Sequence, residues 1–304
     1  MCIILNVEIL RCKYNVEKRI RNILENSMKR KYLILDVDGT LTNSKKEITD
    51  KTYHALIDIQ KKGHKIVIAS GRPTPGIKWI VDKLELREYG GYALCFNGAK
   101  VIDFKTGDII YQNVFPRECI APLYEYALAH DMGMITYEGD TVIHGTRADE
   151  YMRFEAGLNF MELKYVEDFA NYVTFDVNKC LFTAGPSKAP ALEKEMAEMY
   201  KEKLSIYRSE EFFIEAMPLG VDKAASLDRL FTAIGADVND TVAVGDGFND
   251  MSMIRYAKVG VCMKNGQQAV KDAADYITEK TNDEDGIVEV IERFIDDMYF
   301  CQKI

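Results

Sequence analysis

The feature that most narrows what this chain can fold into is an alternation. Short apolar runs stop on acidic, seryl or glycine-rich turns, and segments with helical spacing separate them. Residues 31–35 (KYLIL) form such a run and end on Asp36. Residues 48–62 then carry Tyr53, Leu56 and Ile57 at helical spacing until Gly63 stops the pattern. A second run, 65–69 (KIVIA), leads into Ser70-Gly71-Arg72, a helical stretch around 79–84 and a third run over 92–96. Runs rich in Val and Ile that alternate with helices predict an α/β fold, a Rossmann-like parallel sheet with helices on both faces.

The alternation breaks between 97 and 207. Residues 101–104 and 109–111, separated by Thr106-Gly107-Asp108, predict two strands joined by a tight turn. Helical stretches near 117–130 and 187–203 flank strand-like runs at 134–137, 141–144 and 178–184. This reads as an α+β insert with antiparallel strands. The parallel pattern resumes from 211, with helices at 222–234, 249–257 and 267–274 and strands at 241–245, 259–263 and 275–278. The expected organisation is one core formed by 28–96 and 208–304, split by an insert over 97–207. That suits 304 residues at roughly 150 per domain. Residues 1–27 are expected to be an appendage, disordered or an artefact of start-site choice, with the domain starting near Met28. Intact mass of the natural protein decides this, and an N-terminus at Met1 removes the artefact version.

Composition removes several function classes. With 47% hydrophobic residues the chain can build a large core, which excludes an intrinsically disordered protein. Its formal charge of −9 repels nucleic acid and anionic membrane surfaces. No stretch approaches the roughly 18 apolar residues of a membrane span. Seven cysteines, with no Cys-x-x-Cys pair, predict reduced core residues and a cytoplasmic location.

The turns carry the chemistry. Asp36-Val37-Asp38-Gly39-Thr40 lies where the first strand ends, and open α/β sheets bind ligands at the carboxyl ends of their strands. At typical residue frequencies this pattern arises by chance in only about a few of every thousand chains of this length. Gly39 permits a bend whose backbone N–H groups can face an anion. Gly245-Asp246-Gly247-Phe248-Asn249-Asp250 follows another strand and again places carboxylates at its end. Asp36, Asp246 and Asp250 could hold one hard divalent cation, and Mg²⁺ suits oxygen ligands of this kind. Without a cation, three acids in one cleft raise at least one pKa. Ser70 offers a hydroxyl at the second strand end. Lys223 offers a positive charge that such a cleft needs. Each has a plainer reading, a helix cap for Ser70 and a solvated charge for Lys223.

Taken in order, these four pieces resemble the four motifs of the haloacid dehalogenase-like superfamily of phosphohydrolases, from Met28 onward. The chain is most similar to the Cof-like branch, in which a large α/β cap interrupts the sheet. Asn97-Gly98-Ala99, Gly220-Val221-Asp222-Lys223 and Asp285-Gly286-Ile287 share that likeness. Asp222 and Ala224 stand where most members have Ser and Gly around the lysine. Lys264 departs from the usual pattern in Met263-Lys264-Asn265-Gly266. The resemblance implies Asp36 as nucleophile and Asp38 as general acid and base. It implies metal ligation by Asp36, the backbone carbonyl of Asp38 and Asp246, with Asp250 supporting them. Ser70 and Lys223 would hold the phosphoryl group, with Gly39 beside it and Asn249 orienting Lys223 or a phosphate oxygen.

The implied activity is Mg²⁺-dependent hydrolysis of phosphate monoesters of small metabolites, sugar phosphates or related compounds, through an aspartyl-phosphate. The alternatives are a phosphomutase and a non-enzymatic phosphate-responsive module. The second carboxylate, Asp38, weighs against the latter. The insert is expected to select the substrate, with Asn97 at its boundary and Glu138, His144, Arg147 and Tyr151 as candidate contacts. Neither the physiological substrate nor the oligomeric state follows from the residues.

Overall fold

The computed structural model describes residues 30–296. The expected appendage, 1–27, lies outside them. The strands are β1 Tyr32–Leu35, β2 Lys65–Ala69, β3 Tyr92–Cys95, β4 Lys100–Asp103, β5 Ile109–Gln112, β6 Gly133–Glu138 and β7 Thr141–His144. They continue with β8 Glu162–Tyr165, β9 Cys180–Thr183, β10 Leu204–Arg208, β11 Phe213–Pro218, β12 Thr241–Gly245, β13 Val259–Cys262 and β14 Tyr276–Ile277.

The first sheet runs β14-β13-β12-β1-β2-β3-β4-β5. Its members from β14 to β3 are all parallel, which makes the predicted α/β core. Strand β1 is buried along its whole length, and its alternate side chains serve two layers. Leu33 and Leu35 pack with Leu56, Ile59, Ile80 and Val81 on one face. Tyr32 and Ile34 pack with Leu227, Leu230 and Phe231 on the other. Burial on both faces is why these runs read as continuously apolar rather than alternating.

The second sheet runs β10-β11-β9-β6-β7-β8 and is antiparallel except where β7 meets β8. The helices Ile120–Ala129 and Ala189–Tyr200 cover one face through Leu123, Ala127, Leu192 and Met196. The opposite face, which carries Ile135, Leu181, Phe213 and Met217, packs toward the core.

The two sheets divide the chain differently from the expected insert of 97–207. The hairpin β4–β5 belongs to the core sheet, where β4 pairs antiparallel with β3. Strands β10 and β11 belong to the second sheet, so the core resumes only after Pro218. The reason is edge satisfaction. Without the hairpin, β3 would present a row of unpaired N–H and C=O groups. Apolarity alone does not reveal which sheet a strand joins.

No helix among the described residues is long and apolar enough to cross a membrane. Cys95, Cys119, Cys180 and Cys262 are buried and free.

Candidate active site

The predicted residues converge at the carboxyl edge of the parallel sheet, where β1, β2 and β12 end. Past β1 the chain bends sharply, with Leu41 N–H donating to Asp36 C=O at 3.2 Å and Thr42 N–H to Val37 C=O at 2.9 Å. Gly39 makes the bend with φ +83°, and a Cβ there would lie 2.4 Å from Asp246 Oδ2. Glycine is therefore what lets the β12 carboxylate approach the β1 loop. Thr40 Oγ1 then donates to Asp246 Oδ1 at 2.7 Å. Asp250 is fixed from below, since its Oδ2 accepts the backbone N–H groups of Asp246 and Gly247, each at 2.9 Å.

Lys223 begins the helix Lys223–Ile234, whose N-cap Asp222 accepts from Ala225 N–H at 3.0 Å. The cap sets where the helix starts and so where the ammonium group lands. Lys223 Nζ donates to Asp36 Oδ1 at 2.8 Å, Asp250 Oδ1 at 2.6 Å and Ala69 C=O at 2.8 Å, at 1% exposure. All three ammonium protons are used. Direct contact with a phosphoryl oxygen therefore requires exchange of one partner.

The electrostatics follow from burial. Burial raises the Asp36 carboxyl well above its ordinary value and the charge of Asp250 adds to this, against the pull of Lys223. Burial pushes Asp246 up to about 6, with Asp250 adding and the Thr40 hydrogen bond opposing. For Lys223, burial alone would favour the neutral amine, but Asp250 and Asp36 outweigh it and hold the proton more tightly. Asp36, Asp246 and Asp250 offer oxygens that all lie within 4.8 Å of one another. Two buried acids and a half-buried third against one lysine leave an excess of negative charge, so the donor set fits a hard divalent cation. Asp250 has both oxygens engaged already, which suits it to supporting the other two rather than leading the ligation.

Asp38 lines the same cavity but has partners of its own. Its carboxylate receives Arg72 Nε and a terminal Arg72 nitrogen, both at 2.8 Å, and Lys46 Nζ at 2.8 Å. Burial alone would raise its pKa, but the hydrogen bonds and charges of Arg72 and Lys46 bring it below the ordinary carboxylate value. The other terminal nitrogen of Arg72 donates to Leu158 C=O at 3.0 Å, which ties the core to the insert. Neither Arg72 nor Lys46 stood out in the sequence, although Arg72 directly follows Ser70-Gly71.

A cavity of about 660 Å³ opens over this group, lined by Asp36, Asp38, Ser70, Asn97, Lys223, Asp246, Asn249 and Asp250 among others. Ser70 is buried and its Oγ accepts from Arg72 N–H at 3.1 Å. Asn249 lines the cavity, and among the described residues no hydrogen bond joins it to Lys223. Its amide donates to Asn97 Oδ1 at 3.3 Å because the turn of 248–250 aims it at the loop after β3. Of the substrate candidates, only Asn97, which lies between β3 and β4 of the core sheet, lines the cavity. Arg147 is exposed and away from it. His144 is buried with Nδ1 at 2.8 Å from Thr146 C=O, and Glu138 accepts from Tyr172 OH at 2.9 Å. Tyr151 stacks on Phe212 with ring centroids 4.3 Å apart. One turn further along the helix Glu150–Leu158, Phe154, Glu155 and Leu158 do reach the cavity, with Asn159 beyond them and Lys179, Tyr207 and Glu215 from the second sheet. The available signal was a charge inside an apolar run, as in Phe213-Ile214-Glu215-Ala216.

Known proteins resemble the chain over most of its length. The family model for haloacid dehalogenase-like hydrolases matches residues 33–291, and the chain belongs to that family. A solved haloacid dehalogenase-like hydrolase from Bacteroides thetaiotaomicron is 43% identical, with a TM-score of 0.84, covering 87% of this chain and 99% of that one. A structure described as a HAD subclass IIB sugar phosphatase is 26% identical, with a TM-score of 0.73, covering 87% and 98%. The 5-amino-6-(5-phospho-D-ribitylamino)uracil phosphatase YcsE of Bacillus subtilis is 26% identical over 270 residues, 87% of this chain and 96% of that protein.

Proposed function

We propose that the chain is a Mg²⁺-dependent phosphatase of small phosphorylated metabolites, sugar phosphates or related compounds, acting through an aspartyl-phosphate. Its class, a phosphoric monoester hydrolase, follows from its family. The observation that carries the mechanism is Lys223, buried and bonded at once to Asp36 and Asp250 beside Asp246. Asp36 Oδ1 is held by Lys223, which leaves Oδ2 to attack phosphorus. A carboxylate and a phosphate dianion repel, so the buried ammonium is what lets them meet. Asp36 and Asp246, steadied by Asp250, would hold Mg²⁺, which when bound supplies further positive charge against the phosphoryl oxygens.

Attack forms the Asp36–phosphorus bond and breaks the bond from phosphorus to the leaving oxygen, which takes a proton from Asp38. Water then attacks the phosphorus and gives a proton to Asp38, while the bond from phosphorus to the Asp36 oxygen breaks, releasing phosphate and restoring the Asp36 carboxylate. In the geometry described, Arg72 and Lys46 favour ionised Asp38, the form the second step needs. The first step requires a protonated Asp38, so one of these partners must be drawn off for it to take up a proton. The family resemblance extends to the insert, which we place over 113–219 as the cover of the cavity.

The test is phosphate release from a panel of phosphorylated metabolites, with and without Mg²⁺, for the wild type and Asp36→Asn. Turnover that needs Mg²⁺ and disappears in Asp36→Asn is expected. Turnover retained in folded Asp36→Asn, or none from any member, would sink the assignment.

A further inference from the structure

The second sheet ends on β8, whose outer side pairs with no strand among the described residues. A strand in a parallel pair turns alternate residues toward its neighbour. Val166 N–H donates to His144 C=O at 2.8 Å, which puts residues 162, 164 and 166 on the β7 side. The N–H and C=O groups of Leu163 and Tyr165 therefore point outward. An edge of this kind is a template for another chain unless it is shortened, bent or charged. The first sheet blunts both of its edges. Strand β14 has two residues, and β5 meets β4 through a register shift. Strand β8 pairs with β7 in unbroken register, contains no proline and carries one charge of each sign, Glu162 and Lys164. Beside these stand Tyr165 at 58% exposure and, shortly before the strand, Phe160 at 78%. Exposed aromatic side chains grouped in this way mark a contact surface.

The order Glu162-Leu163-Lys164 is self-complementary about Leu163. A second copy placed antiparallel, with a twofold axis at Leu163, lets the two leucines exchange both N–H to C=O bonds through the groups that face outward. Glu162 then lies directly opposite Lys164 of the second copy, and the symmetry makes this pair twice. Tyr165 falls opposite Met161. Other registers fail. An axis at Glu162 or at Lys164 sets like charges face to face, and one at Tyr165 leaves Lys164 opposite Val166. An axis between two residues opposes an outward-facing residue to one already turned toward β7. Neither Glu162 nor Lys164 has an ion-pair partner among the described residues. Lys164 Nζ rests on a neutral group, donating to Tyr172 OH at 3.2 Å.

We propose that the β8 edge is where two copies of this chain meet, joining their second sheets into one continuous antiparallel seam. Residues 162–165 do not line the cavity, so the contact stands apart from the phosphatase reading.

Sedimentation equilibrium of the full chain, from about 1 to about 200 µM, tests this by mass action. The wild type is expected to move toward twice the monomer mass as concentration rises. Lys164→Glu and Glu162→Lys each place like charges opposite one another, and each should raise the dissociation constant about tenfold or more. The double exchange, Glu162→Lys with Lys164→Glu, restores opposite charges and should return the constant to within about threefold of wild type. An equimolar mixture of the two single variants sets two acids against two bases and should dimerise at concentrations where neither does alone. The substituted side chains are exposed, so melting temperatures near that of the wild type are expected and confirm that the variants are folded. A wild type that stays monomeric throughout overturns the proposal. So do dimers indifferent to the single substitutions, or a mixture no more associated than its separate components.

Discussion

Replacing Lys223 by methionine tests the electrostatic heart of the site. The ammonium group is bonded to Asp36 and Asp250, and the side chains of Lys223 and Asp250 are each only 1% exposed. Methionine fills the channel but leaves two buried carboxylates, with Asp246 nearby, lacking that charge. Breaking a buried pair by removing one partner costs about 3–5 kcal/mol, and one lysine serving two acids argues for the upper end. At about 2–4 °C per kcal/mol for a chain of this size, the melting temperature should fall by about 10–20 °C at pH 7.5 without Mg²⁺. Phosphate release should fall about 10²–10³-fold or more. The pH dependence has a definite sign. Lys223 lowers the pKa of both Asp36 and Asp246, so its loss lifts both folded-state values further above the unfolded one. The stability tied to such groups is whole below the unfolded pKa and is lost as pH rises through the folded value. The gap between variant and wild type must therefore narrow from pH 7.5 to pH 5. Thermal melts across that range read it directly. A variant that melts within about 2 °C of wild type at pH 7.5, or a gap that widens toward pH 5, refutes the reasoning.

Two other perturbations have defined outcomes. Gly39→Ala places a Cβ 2.4 Å from Asp246 Oδ2 on a backbone at φ +83°, and should cost about 1–3 kcal/mol and weaken Mg²⁺ binding about tenfold or more. A Mg²⁺ titration with wild-type affinity would remove the claim that this glycine makes room for the ligand. In the metal-free wild type, Asp246 near 6 and the raised Asp36 favour the folded state at pH 5 over pH 7.5, so added Mg²⁺ should raise the melting temperature more at pH 7.5 than at pH 5. Equal shifts at both values would mean that the cation binds elsewhere.

How far the residues spoke for themselves depended on whether the signal was local. Asp36, Asp246 and Ser70 end strands whose apolar runs are continuous, so their position at the sheet edge was readable from order alone. Lys223 required knowing that the helix after the insert returns to β1, which the motif order supplied. The hairpin β4–β5 was legible as a hairpin but not as part of the core, because pairing to β3 is a nonlocal choice between two apolar surfaces. Arg72 and Lys46 escaped notice because a charge in a loop looks solvated until its partner, Asp38, is placed in space. Glu215 and Lys179 escaped for the opposite reason. Glu215 sits within β11 and Lys179 directly before β9, and only the split of β11 between two faces shows that the Glu215 charge lies on the cavity side. Arg147 lies in the loop before the helix Glu150–Leu158, and the side chains that reach the cavity leave that helix further along.

The ends of the insert meet. Asn113, just after β5, donates its amide to Leu219 C=O, just after β11, at 3.1 Å. About a hundred residues thus depart from and return to nearly the same point. For the receiving sheet this makes the interruption almost invisible in entropic terms. Bringing β12 beside β1 closes a loop of roughly two hundred residues, and once the insert has folded the effective loop is about half that. Each halving relieves only about 0.6 kcal/mol. A whole second sheet can therefore be spliced into the chain, or exchanged for another with ends equally close, at little cost to assembly of the sheet beneath it.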